Sequence, residues 1–189
     1  MRVVVLTGAG ISAESGVPTF RDSFGLWEGR RVEDVATPEA FDAQPTTVQR
    51  FYDARRRAVR AVTPNAGHRA LAALEHALGD RLLVVTQNID DLHERAGSTR
   101  VLHMHGELLS ALCCACGLRS RWEQDLVDGP ACPSCGEREL RPDVVWFGEL
   151  PYEMDRIHDA LTEADLFVSI GTSGAVSYTH LTLPTNREV

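Results

Sequence analysis

Four short apolar runs constrain this 189-residue chain more than any other feature: residues 3–6, 82–85, 144–147 and 166–170. Each is rich in Val, Leu or Ile, and none alternates with polar residues. That pattern suits parallel strands covered on both faces. Helical patterns separate several of them. Residues 65–78 follow Thr63-Pro64, read as a cap followed by proline, and place Leu71, Leu74 and Leu78 on one face. Residues 152–164 read as another helix, with Ile157 and Leu161 turned inward. Strands alternating with helices imply an open α/β sheet.

Two segments break that rhythm. Residues 38–62 look wholly helical, and residues 107–141 hold every cysteine in turn-rich sequence. Both read as inserts that form a smaller lobe. The expected division is a Rossmann-like domain from 1–36, 63–106 and 142–176, with a small lobe from the helical insert 37–62 and a metal module 107–141. Repeats and low-complexity tracts are absent from the sequence.

The formal net charge of −8 argues against a nucleic-acid binder, which carries a basic excess or stripe. It leaves room for a basic, lysine-containing protein segment as substrate. No run reaches the roughly 18–20 apolar residues that span a bilayer, and the N-terminal run is too short for a signal-peptide core. The expectation is a cytoplasmic, monomeric protein without membrane or nucleic-acid partners.

All five cysteines lie within 23 residues. Cys113-x-x-Cys116 and Cys132-x-x-Cys135 are two CxxC pairs 15 residues apart, the spacing of a tetrahedral four-thiolate zinc site. Four thiolates leave no open coordination position, so one structural Zn2+ is expected; a thiol redox site is the alternative. Cys114, inside the first pair, points away from the other thiols.

The run 3–6 leads directly into Gly8-Ala9-Gly10-Ile11-Ser12. Glycines at a strand-to-helix turn admit a phosphate to the backbone, but they also make a plain tight turn. The spacing is not the full dinucleotide fingerprint G-x-G-x-x-G. The longer stretch is more specific. Gly8-Ala9-Gly10-x-Ser12-x-x-Ser15-Gly16-x-Pro18-x-Phe20-Arg21 resembles the NAD-binding signature of the sirtuin family. The resemblance implies that this loop wraps the pyrophosphate and nicotinamide ribose of NAD, with Phe20 and Arg21 near the reacting end.

Other segments extend the likeness. Gln87-Asn88-Ile89-Asp90 follows the run 82–85, where open sheets bind ligands; a helix cap by Asn88 or Asp90 is the alternative reading. In sirtuins this segment holds the nicotinamide ribose and carboxamide. His103 and His105, two apart, would share a strand face. His105-Gly106 is similar to the family's catalytic His-Gly pair, which makes His105 the general base and His103 its support. Gly171-Thr172-Ser173 stands where the family has a further NAD-contacting turn. Val145-Trp146-Phe147-Gly148 resembles the strand that pairs with the substrate backbone. The family also carries a four-cysteine zinc knot between the histidine motif and that strand.

In the helical insert, Val48, Tyr52, Arg55, Val59 and Val62 share one face, so Arg55 sits within an apolar stripe. An inward guanidinium needs an anionic partner or must reach water. Arg56 is also within reach of Tyr52. Tyr52-x-x-Arg55 resembles the pair that binds the acyl carboxylate in the bacterial desuccinylase and demalonylase branch of sirtuins. The likeness implies an NAD-dependent lysine deacylase acting on acylated-lysine proteins. The acyl-lysine oxygen attacks the ribose as nicotinamide leaves. His105 then deprotonates a ribose hydroxyl, and O-acyl-ADP-ribose is released. The likeness extends to about residue 176. Residues 177–189 are polar, without helical period, and read as foreign to the fold, as if the sirtuin pattern were truncated. A chain so shortened is expected to be poorly soluble or to bind NAD weakly, the alternative function being an impaired NAD- or zinc-binding protein.

Overall fold

The computed structural model describes residues 1–18, 26–27 and 30–172. Strand β1 (Val3–Thr7) runs into a short 3₁₀ helix, Ala9–Ser15. A two-residue hairpin follows, β2 (Leu26–Trp27) against β3 (Arg30–Arg31). Next come α1 (Pro38–Ala43), α2 (Pro45–Ala61) and α3 (Ala66–Leu78). Strand β4 (Leu82–Thr86) leads through α4 (Leu92–Arg95) to β5 (Val101–His103). Strands β6 (Gly106–Cys113), β7 (Arg119–Arg121) and β8 (Leu140–Val144) form a separate antiparallel sheet in the order β7-β6-β8. Helix α5 (Met154–Thr162) and strand β9 (Leu166–Ile170) return to the main sheet, whose order is β5-β4-β1-β9 and whose pairings are all parallel.

The expected α/β class follows from how β1 is covered. Val3, Val5, Leu82 and Val84 pack with Ile11 and Leu71 on one face. Val4, Val85, Leu102 and Met104 pack with Ile157 on the other. The run is apolar without alternation because helices lie over both faces. Ile157 is buried, as its helical spacing predicts.

Several expectations require correction. Residues 144–147 form no strand of the main sheet. Val144 ends β8, in the antiparallel sheet, and the fourth main-sheet strand is β5. β8 is buried along its whole length although it carries Arg141 and Asp143, because each charge has a partner there. The insert 38–62 breaks at Gln44, where Pro45 opens a second helix with its fixed φ and missing N–H. The cap of α3 is Asn65 rather than Thr63. Its side chain accepts from the Gly67 and His68 N–H groups, while the His68 ring accepts from the Asn65 N–H. Leu74 is exposed; the buried face runs through His68, Leu71 and Glu75, leaving Leu74 at its margin.

Helix α2 carries Val48, Phe51, Tyr52 and Val59 onto Leu108 and Leu109 of β6, and onto Val144 and Trp146. Asp53 ties the same helix to the cysteine-bearing segment by accepting from the Leu126 and Val127 N–H groups. No helix among the described residues is long and apolar enough to cross a membrane. Phe20, Arg21, Ser173 and the segment 177–189 lie outside the described residues.

Candidate functional site

The four CxxC sulfurs converge. Cys113 Sγ lies 3.7 Å from Cys135 Sγ, and Cys116 Sγ lies 3.8 Å from Cys132 Sγ. All four ligand atoms fall within 4.8 Å of one another. A tetrahedron with Zn–S bonds near ~2.3 Å has edges of about 3.8 Å, so the cluster suits zinc in size as well as in chemistry. The distances are far too long for disulfides. The Ser134 N–H points at Cys132 Sγ (3.4 Å), as turns in such knots direct donors at thiolates. Ala111, Leu126 and Leu140 pack beneath. Cys114 is exposed and outside the cluster.

At the C-terminal ends of β1 and β9 two glycine turns pack against each other. Gly8 N–H donates to Ile170 O (3.0 Å), and Gly10 N–H donates to Gly171 O (2.8 Å). A Cβ on Gly8 would sit 2.7 Å from Thr172 Cβ, and one on Gly10 would sit 2.8 Å from Gly171 Cα. The glycines are therefore required by the fold itself, in addition to any phosphate they admit.

Beside this double turn lies a buried polar cluster. Ser12 Oγ donates to Asp90 Oδ2 (2.9 Å). The Asn88 amide donates to Gly8 O and to Ser12 Oγ, each at 3.2 Å. Asp90 also accepts from the Leu92 N–H (3.1 Å), so the capping reading holds for it in part. Burial raises the Asp90 pKa against the hydrogen bonds that lower it. Gln87 Nε2 is buried and, among the described residues, has no partner. An unpartnered amide donor next to these groups fits a ligand that presents a carbonyl.

His103 ends β5, while His105 lies in the turn beyond it, so the two do not share a strand face. They reach consecutive carbonyls instead. His103 Nδ1 bonds Asn88 O and His105 Nδ1 bonds Gln87 O, both at 3.0 Å. His103 Nε2 is also engaged, by Glu94 at 2.8 Å. Burial would lower the His103 pKa, but the Glu94 carboxylate outweighs it and the net shift is upward. His105 has no such carboxylate, and burial lowers its pKa. With Nδ1–H donated to Gln87 O, the imidazole lone pair of His105 stands on Nε2.

The roles of five residues of this region were not legible in the sequence. Thr7 Oγ1 donates to Thr86 Oγ1 and meets His93 Nε2, each at 2.9 Å. His68 stacks edge-on against His93 with centroids 5.0 Å apart, and reaches Ser12 Oγ at 3.4 Å. Burial and the adjacent His68 depress the His93 pKa to about 4. Asn65 donates to Ile11 O and Ser15 Oγ. Only the Asn65-x-x-His68 spacing, a capping-box pattern, carried a signal.

On the small-lobe side, Trp146 turns its indole inward, where its N–H donates to Tyr52 Oη (3.0 Å). Phe147 is 52% exposed, and its N–H donates to Ala36 O. Val145 N–H donates to His105 O (2.9 Å), and Gly148 takes a φ of +93°. The two arginines of α2 part company. Arg56 is fully buried, paired with Asp53 and donating to Leu108 O. Arg55 donates to Phe51 O (3.1 Å) and lies over the Phe51 ring. Arg55 acts electrostatically on the Tyr52 phenol, whose pKa burial raises well above its ordinary value. Tyr52 and Arg55 are both buried, so a ligand reaches them only if neighbouring chain yields.

Residues 8–178 match the Sir2 family. The NAD-dependent protein deacylase of Escherichia coli (strain K12) is 60% identical over 178 residues, 93% of this chain and 64% of its own length. The NAD-dependent protein deacylase of Yersinia pestis is 59% identical, over 92% of this chain and 64% of its own length. This chain thus spans about 64–65% of the length of the curated relatives it matches. Among solved structures, a Sir2 homologue–NAD complex is 44% identical with a TM-score of 0.83, covering 93% of this chain and 70% of the other. A Sir2–p53 peptide–NAD+ complex is 33% identical with a TM-score of 0.76, covering 94% and 73%.

Proposed function

This chain belongs to the Sir2 family, and on that premise we propose that it is an NAD-dependent protein-lysine deacylase. The observation that carries the reading is His105: half-buried, its Nδ1–H donated to Gln87 O and its pKa lowered. Such an imidazole is neutral near pH 7 and presents Nε2 as a base. Gln87, Asn88, Asp90 and Ser12, with the turns at Gly8, Ala9, Gly10, Gly171 and Thr172, would hold NAD. Phe20, Arg21 and Ser173 complete that set by sequence. When bound, NAD supplies the nicotinamide ribose that receives the acyl group, and the products are free lysine, nicotinamide and O-acyl-ADP-ribose. With NAD bound, His105 Nε2 would take the proton from a ribose hydroxyl, while Ser12 and the Leu92 N–H hold Asp90 in place and Asn88 holds Ser12. The segment Val145, Trp146, Phe147 and Gly148 receives the acylated-lysine protein, with exposed Phe147 offering its ring. The zinc held by Cys113, Cys116, Cys132 and Cys135 is structural.

The acyl range extends from acetyl to succinyl and malonyl. Support comes from Tyr52 and Arg55, a phenol and a guanidinium on one helix face, with Arg56 committed elsewhere. The protein acts in the cytoplasm as a monomer, without nucleic-acid or membrane partners. The small lobe comprises 37–62 and 107–141, and the NAD-binding domain the rest up to residue 176. Mass spectrometry of acetyl-, succinyl- and malonyl-lysine peptides incubated with protein and NAD tests the reading. Arg55→Met should lose activity on the acidic acyl groups and largely keep deacetylation. Equal losses on both would make Arg55 structural.

A further inference from the structure

We infer that Trp146 is a positioning residue for acyl selectivity, acting through the Tyr52 hydroxyl. This rests on the reading above that Tyr52 and Arg55 receive an acidic acyl group.

The argument begins with hydrogen-bond polarity. An indole N–H can only donate. At 3.0 Å from Trp146 Nε1, the phenol oxygen of Tyr52 must therefore accept. Its own proton is directed away from Trp146, and burial keeps that proton on the oxygen by raising the Tyr52 pKa. A phenol fixed as donor recognises an acceptor-rich group. A carboxylate is acceptor-only and anionic, and the Arg55 guanidinium lies close enough to act on the same phenol.

Trp146 is itself held by three residues, one at its backbone and two at its ring. Glu149 Oε2 accepts the Trp146 backbone N–H (2.8 Å), and Glu149 Oε1 accepts from Arg141 Nη2 (2.8 Å). The Arg141 guanidinium then lies 4.1 Å above the indole face. Phe41 packs against the ring with centroids 5.2 Å apart. Trp146 is 3% exposed, so water does not compete for its N–H. The residue thus has a second role besides its backbone's place in the substrate segment.

The test is a double-mutant cycle on peptide binding without NAD, read by fluorescence anisotropy with succinyl-lysine and acetyl-lysine versions of one labelled peptide. Four proteins are compared: wild type, Trp146→Phe, Tyr52→Phe and the double variant. Losing one oriented hydrogen bond should weaken succinyl-peptide binding by about three- to tenfold relative to the acetyl peptide. In the Tyr52→Phe background the same Trp146 change should shift that ratio by less than about twofold, because the group it orients is gone. Equal weakening of both peptides by Trp146→Phe, or an undiminished effect without the Tyr52 hydroxyl, overturns the inference. The Tyr52→Phe arm reads the underlying proposal alone. If that change leaves the succinyl-to-acetyl ratio untouched, the acidic-acyl reading falls and takes this inference with it.

Discussion

Replacing Arg56 with Met should destabilise the protein severely, although Arg56 touches no ligand-facing group. The residue is fully buried, and its carboxylate partner Asp53 is 1% exposed. Desolvation is the largest influence on the Arg56 guanidinium and opposes its charge; the Asp53 carboxylate beside it works the other way. As a pair the two contribute little net stability, since burial offsets much of their attraction. Breaking the pair is different. Asp53 would remain buried with only the Leu126 and Val127 N–H groups as donors, and Leu108 O would lose the guanidinium. Removing one partner of a buried pair costs about 3–5 kcal/mol. For a chain of this length that lowers the midpoint of thermal unfolding by about 6–20 °C. The neighbouring Arg55→Met serves as the reference: Arg55 donates to the carbonyl of its own helix and lies over an aromatic ring. Differential scanning calorimetry of both variants, with the Asp53→Asn/Arg56→Met double variant, gives the comparison. The double variant should cost less than the sum of its single changes. An Arg56→Met protein within about 1 kcal/mol of wild type would refute the argument, because an unpaired buried carboxylate cannot be that cheap.

Three further outcomes are expected. His105→Ala should reduce deacylation by about 10²–10⁴-fold with thermal stability unchanged. In the wild type the base must be neutral, and burial lowers its pKa, so kcat/KM should hold as pH falls past 6.5 and drop only below that; a profile that collapses above pH 7 would place the base elsewhere. Cys132→Ala, or chelation of the metal, should unfold the segment that Cys132 anchors beside Leu126 and Leu140, seen as lost near-ultraviolet dichroism of Trp122; metal analysis should find one zinc per folded wild-type chain. Gly106→Ala should destabilise by several kcal/mol in denaturant titration, because Gly106 sits at φ +81° and a Cβ there would meet Asp143 O at 2.1 Å; a change below about 1 kcal/mol would show that the β6–β8 pairing yields easily.

Much of this molecule was legible in order along the chain. Uniform apolar runs at 3–6 and 82–85 announced strands covered on both faces, because a parallel sheet between helices leaves no polar side to alternate with. The run 166–170 pairs with β1 as its pattern suggests, but among the described residues only one face is packed, through Val168 and Ile170, while Leu166 and Phe167 are exposed. The two CxxC pairs announced their cluster, since ligand type and spacing are local properties. What the sequence could not hold was pairing at a distance. The run 144–147 is as apolar as a core strand, yet its tryptophan is buried by Tyr52 from a helix ninety-four residues away, and its strand character ends at Val144. Arg55 and Arg56 are neighbours with equal claims by spacing; only the position of Asp53, held by the Leu126 and Val127 N–H groups, commits Arg56 to the interior. His103 and His105 look like twins two residues apart, and Glu94 alone separates them, by occupying one Nε2 and leaving the other as a base. Periodicity and spacing are written in a residue's neighbours along the chain, whereas protonation, tautomer and charge compensation are decided by whichever groups the fold brings within hydrogen-bond reach.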